Sequence, residues 1–144
     1  MTHAVTQVRT AVRAALETAL PGVDWVKNYW LSIDREQLPR GAVFTPKARV
    51  AKFDDDTIER LTEVNVILKR SGGADLEDEM WADSAQLESV VLGVLEGFSY
   101  DYDLDEVDVK MDGDGARSVG TLMMQFSLRL LTAEGQPENP ILPD

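Results

Sequence analysis

From Thr2 to Leu20 the apolar residues Val5, Val8, Val12, Leu16, Ala19 and Leu20 recur at steps of mostly three and four. That stripe predicts an amphipathic helix, closed by Pro21-Gly22. In VDWVKNYWLSI, which follows, Val23, Trp25, Lys27 and Tyr29 share one face of a strand, with Val26 and Trp30 on the other. DREQLPRG then reads as a loop punctuated by Leu38-Pro39 and Gly41. Two extended segments come next. Ala42 to Phe53 contains Pro46, which confines it to a sheet edge or interrupts it at a bulge. Thr57 to Arg70 sets Val64, Val66 and Leu68 against Glu63, Asn65, Ile67 and Lys69, with Ile67 the exception to the alternation. The polar Asp54-Asp55-Asp56 between the two segments predicts a turn, and so an antiparallel hairpin. SGGAD ends that pattern.

A second helix is predicted from Leu76 to Phe98. Leu76, Met80, Ser84, Leu87, Val91, Val94, Leu95 and Phe98 form one face, and Asp75 stands where it can cap the first turn. The acids that open this helix suit the positive end of its dipole. Beyond it, Val107, Val109 and Met111 alternate with Glu106, Asp108 and Lys110, and DGDG supplies a hairpin turn. The return strand puts Leu122, Met124, Phe126, Leu128 and Leu130 on a core face and Thr121, Met123, Gln125, Ser127 and Arg129 on the other. The order α-β-β-β-α-β-β predicts an α+β domain over residues 1–132, with two amphipathic helices on one face of a mostly antiparallel sheet of about five strands. Residues 133–144 hold three prolines and little to bury, and read as a tail that is flexible or orders on a partner.

Charge and composition narrow the function. A net charge of −12 with only 14 scattered Lys and Arg argues against nucleic-acid binding, which draws on clustered cations. With no cysteine and one histidine, His3, placed for a frayed terminus, thiolate chemistry, Ser-His pairs and most zinc sites drop out. An enzyme would have to draw acid, base and nucleophile from Asp, Glu, Ser, Tyr and Lys, and no constellation suggests one. No apolar run is long enough for a transmembrane helix, and no secretory signal stands at the N-terminus. The stretch SYDYDLDEVDVKMDGDG spaces Asp101, Asp103, Asp105 and Asp112 like ligands of a calcium loop. Glu106 stands where that loop needs Gly, Asp112 is a methylene short of the bidentate Glu, and Asp108 replaces an apolar residue. The four remain metal candidates, with magnesium at a subunit interface favoured over calcium because few carboxylates converge. Trp25, Trp30 and Trp81 read as core or interface anchors, and Trp81, beside Met80, is placed to face a neighbour. Arg35, Arg40 and Lys47 are placed to pair with acids of another copy.

The helix closed by LPG, the LPRGAVFTPKARV segment, TIERLTEVNVILKRSGG before an acid-led helix, and the final hairpin DEVDVKMDGDGARSVGTLMMQFSLRLL come in a telling order. Together they resemble the tail terminator family of long-tailed bacteriophages, small proteins related to the lambda tail terminator, over the chain to about Thr132. The resemblance implies a structural, non-catalytic minor tail protein without a cofactor. It would form a homo-hexameric ring on the tail tube protein, stop tube growth and offer a surface to the head-tail connector or stopper. Such a protein is assembled in the host cytoplasm and resides in the virion at the tail-neck junction, where DNA crosses its lumen without specific binding. Candidate subunit-interface or lumen residues are Asp54, Asp55, Asp56, Trp81, Asp112, Asp114, Met123, Gln125 and Arg129. A head-tail joining or stopper protein is the alternative within the same neck, and a small acidic domain that binds a divalent metal is the alternative outside it.

Overall fold

The computed structural model describes residues 2–27, 38–113 and 118–143. The expected strand residues Tyr29 and Trp30, Arg35, and the turn residues Asp114 and Gly115 lie outside the described residues. The elements run α1 (Ala4–Ala19), β1 (Asp24–Trp25), β2 (Arg40–Lys52), β3 (Thr57–Gly72), α2 (Leu76–Leu95), β4 (Tyr102–Asp112) and β5 (Ser118–Ala133). The strands form one sheet in the order β1-β2-β3-β5-β4, antiparallel except for the β1–β2 pair. Both helices pack on the same face, as the periodicities predict.

Helix α1 buries Ala4, Val8, Val12 and Leu16, a strict four-residue spacing that keeps one narrow stripe against the sheet. Its first turn is held more firmly than a frayed terminus would be. The Nδ1 of His3 accepts the Val5 N–H at 3.1 Å, and the Ala4 N–H donates to the Pro137 carbonyl at 2.7 Å. His3 is therefore the helix N-cap, and two otherwise orphaned donors are satisfied. Helix α2 buries Leu76, Met80, Ser84, Leu87, Val91 and Leu95. Asp75 holds the N-cap position, yet its side chain makes no capping bond, so Glu77, Asp78 and Glu79 are left to complement the dipole.

The core forms where these stripes meet Val64, Val66 and Leu68 of β3 and Leu122, Met124, Phe126, Leu128 and Leu130 of β5. Full burial of side chains this size stabilises by about 1.5–3 kcal/mol each, so the central β3–β5 pair anchors the fold. Pro46 falls in the register shift between Phe44 and Lys47, where its missing N–H interrupts the β2–β3 ladder. Strand β3 runs past Arg70 to Gly72, because Ser118 and Val119 at the start of β5 extend the ladder to Gly72 and Ser71.

The acidic segment is a strand, longer than its alternation suggests. A bulge between Leu104 and Glu106 places Asp105 outside the ladder. One inserted residue reverses the phase, so Tyr102 and Leu104 before it, and Val107 and Val109 after it, all pack against the core. Met111, expected on that inward face, is 43% exposed at the strand end.

Residues 133–143 fold back onto their own chain. Thr132 bridges Pro140, and the Ile141 N–H donates to the Leu131 carbonyl at 2.8 Å. Gln7 reaches the Glu138 carbonyl at 2.7 Å. Strand β4 begins opposite Leu128, so the last residues of β5 lack that neighbour, and the tail takes its place.

Candidate interaction surface

The sheet face opposite the helices carries Glu63, Asn65 and Ile67 from β3 and Met123, Gln125, Ser127 and Arg129 from β5. Ile67, the exception to the β3 alternation, is buried on this side. Leu61 and Met123 are each 41% exposed on the same face. Gln125 lies half-buried opposite Asn65, whose Nδ2 donates to Glu63 at 3.3 Å while its buried Oδ1 accepts nothing. A buried acceptor without a donor is uncommon in a finished surface. Arg129, expected at an interface, spends its charge inside the chain: its guanidinium pairs with Glu59 and, at 2.9 Å, with Asp101.

The remaining expected residues scatter. Asp54, Asp55 and Asp56 form the exposed β2–β3 tip, where the Asp56 N–H donates to Asp54 Oδ1 at 2.9 Å and the Phe53 N–H to the Thr57 carbonyl at 2.9 Å. Trp81 is 47% exposed on α2 while Met80 beside it is fully buried, as two adjacent large residues on a helix require. Arg40 pairs with Asp24 at 2.9 Å within the chain, and Lys47 is exposed. Asp114 lies outside the described residues.

The metal candidates do not converge. Asp103 stands opposite Ser127 and Asp112 opposite Val119, a separation of roughly 27 Å along β5 at strand rise. Asp105 sits in the bulge and Asp101 faces Arg129. Among the described residues no group of three or more His, Asp or Glu is placed to hold a metal ion.

A cavity of about 710 Å³ lies along β2 at Val43 to Pro46, beyond the residues of that strand that pair with β1. Arg9 and Arg13 from α1 and Lys27 contribute its charge, and Phe44, Pro46, Ile67 and Met123 its apolar walls, with Asn65 between. Sequence reasoning passed over this cleft. Its one local signal is the four-residue spacing of Arg9 and Arg13, which puts both on one side of α1. A smaller groove of about 190 Å³ lies where Ile141 and Leu142 of the tail meet Tyr100 and Leu131.

No helix among the described residues is long and apolar enough to cross a membrane. No protein-family model and no curated protein matches the chain.

Proposed function

We propose that this protein is a phage tail terminator: copies assemble into a ring that caps the tail tube, ends its polymerisation and presents a surface to the head-tail connector. The observation that carries this reading is the helix-free sheet face, which exposes Leu61 and Met123 and holds the unsatisfied Asn65 Oδ1. Exposed apolar side chains on the same face as an unsatisfied buried acceptor support a partner that covers this face. Two further features support it. The element order is the one on which the resemblance rests, and the net charge of −12 would let DNA pass a lumen without adhering. Six copies, the virion neck as location and the absence of catalysis follow from the resemblance.

Purified tail tubes provide the test. Incubated with the protein and imaged by electron microscopy, tubes should carry a ring at one end and accept no further tube protein. Light scattering of the ring should give about six times 16.0 kDa. Tubes that keep growing, with the protein bound instead to the connector, would reassign it to head-tail joining.

A further inference from the structure

The geometry points to a head-to-tail contact between copies of this chain, in which the Phe53–Asp56 tip of one copy seats in the basic cleft of the next. The contact specifies the interface of the ring proposed above, and rests on that reading for the number of copies.

The two surfaces are complementary in charge and in polarity. At the tip, Phe53 is 57% exposed beside Asp54, Asp55 and Asp56, all exposed and, among the described residues, without an ion pair. Lys52 is the nearest cation in sequence and leaves the tip acidic. Its backbone is fixed, since the Glu134 N–H donates to the Asp56 carbonyl at 2.8 Å in addition to the bonds that close the turn. An aromatic ring among carboxylates is thus presented on a braced hairpin, with little entropy left to lose on docking. In the cleft the arrangement is reversed. Arg9, Arg13 and Lys27 concentrate positive charge in a chain whose net charge is −12, around walls of Phe44, Pro46, Ile67 and Met123. Arg9 and Lys27 have no acidic partner among the described residues, and Arg13 reaches Glu17 only at 4.0 Å. Asn65, whose buried Oδ1 is the orphaned acceptor, is one of the residues that line the same cleft.

One molecule cannot satisfy itself. The tip lies at the Thr57 end of β3 and the cleft beside Ile67, roughly 30 Å or more away along a strand paired on both sides. Tip and cleft are different patches, so the contact is heterologous and propagates from copy to copy until rotation closes it.

A charge exchange on the full chain tests this. Sedimentation or light scattering up to about 1 mM should show wild-type self-association. Reversing the tip (Asp54→Lys, Asp55→Lys, Asp56→Lys) or the cleft (Arg9→Glu, Arg13→Glu, Lys27→Glu) should weaken it about tenfold or more. Mixing the two variants should restore it, because the basic tip of one then meets the acidic cleft of the other, and the acidic tip its basic partner. Phe53→Ser and Lys27→Glu each change an exposed side chain, so they read the contact even if reversal of Arg9 and Arg13 disturbs α1. A wild type monomeric throughout, variants that associate unchanged, or a mixture that fails to recover while both variants stay folded by circular dichroism would each overturn the contact. Tail tubes separate the two ideas. Copies that associate through tip and cleft but ignore tube ends would keep the contact and remove the terminator reading. Capture of tube ends by variants with unaltered association would do the reverse.

Discussion

At Gly41 the indole of Trp25 lies so close to the backbone that an added Cβ would meet Cζ3 at 2.5 Å, Cε3 at 2.8 Å and the Ile67 carbonyl oxygen at 3.0 Å. The ring cannot retreat easily, because it is buried and its Nε1 donates to the Leu20 carbonyl at 3.3 Å. Gly41→Ala should therefore cost about 1–3 kcal/mol in urea unfolding. Gly120 offers the contrast. A Cβ there would touch Met80 Cγ at 3.2 Å and sulfur at 3.3 Å, the flexible part of a side chain that can turn aside. Gly120→Ala should cost less than about 1 kcal/mol, and equal losses at the two sites would refute the distinction. Arg70 and Asp83 pose a different problem. The guanidinium grips the carboxylate twice, the second bond at 3.2 Å, and ties β3 to α2 with side chains only 26% and 13% exposed. Asp83→Ala strands a largely buried cation and should lose about 1.5–3 kcal/mol. Arg70→Met combined with Asp83→Leu should recover much of that, since the pair costs desolvation that apolar replacements do not. A double variant as weak as the single one would show that the pair stabilises more than it costs.

Among the elements, the tail departs furthest from its expected role. Three prolines and a shortage of large apolar residues describe a segment with no core of its own, yet the segment needs none. It completes the edge of β5 past the start of β4 and closes the first turn of α1 through Pro137 and Glu138. Ending the chain after Thr132 should therefore lower the midpoint of thermal unfolding, by an amount set by losing a few backbone bonds at about 0.5–1.5 kcal/mol each. A truncated chain as stable as the full one would return the tail to a role in assembly alone. Local patterns carried most of the other elements. The spacing of Val8, Val12 and Leu16, the α2 stripe and the alternation from Leu122 to Leu130 each hold enough buried positions to fix element and face. Where the reading slipped, a single residue or a distant partner decided. The Asp105 bulge reverses a phase that alternation assumes constant, and the extension of β3 to Gly72 depends on Ser118, far away in sequence. The cleft was illegible for the same reason. Arg9, Lys27, Phe44 and Met123 belong to four segments that become neighbours only through sheet order, which no local periodicity encodes.

For the whole molecule, two electrostatic effects compete whenever copies approach, and their ranges differ. Each copy carries −12, and compact chains of this length meet with centres roughly 40 Å apart. As bare point charges in water they would repel by about 15 kcal/mol. At 10 mM salt the Debye length of about 30 Å leaves a substantial part of that repulsion, whereas at 150 mM, with a length of about 8 Å, almost none survives over 40 Å. The tip and cleft charges act at contact distances, where 150 mM salt leaves much of their attraction and 1 M, with a length of about 3 Å, removes most of it. Association should therefore rise from 10 mM to about 150 mM salt and fall again toward 1 M, a maximum that neither effect produces alone. Sedimentation of the wild type across that range is the check. A steady rise would mean that apolar burial on the sheet face dominates and the ion pairs contribute nothing measurable. A steady fall would mean that local attraction outweighs the net charge even at low salt, and would place the remaining acids far from the contact.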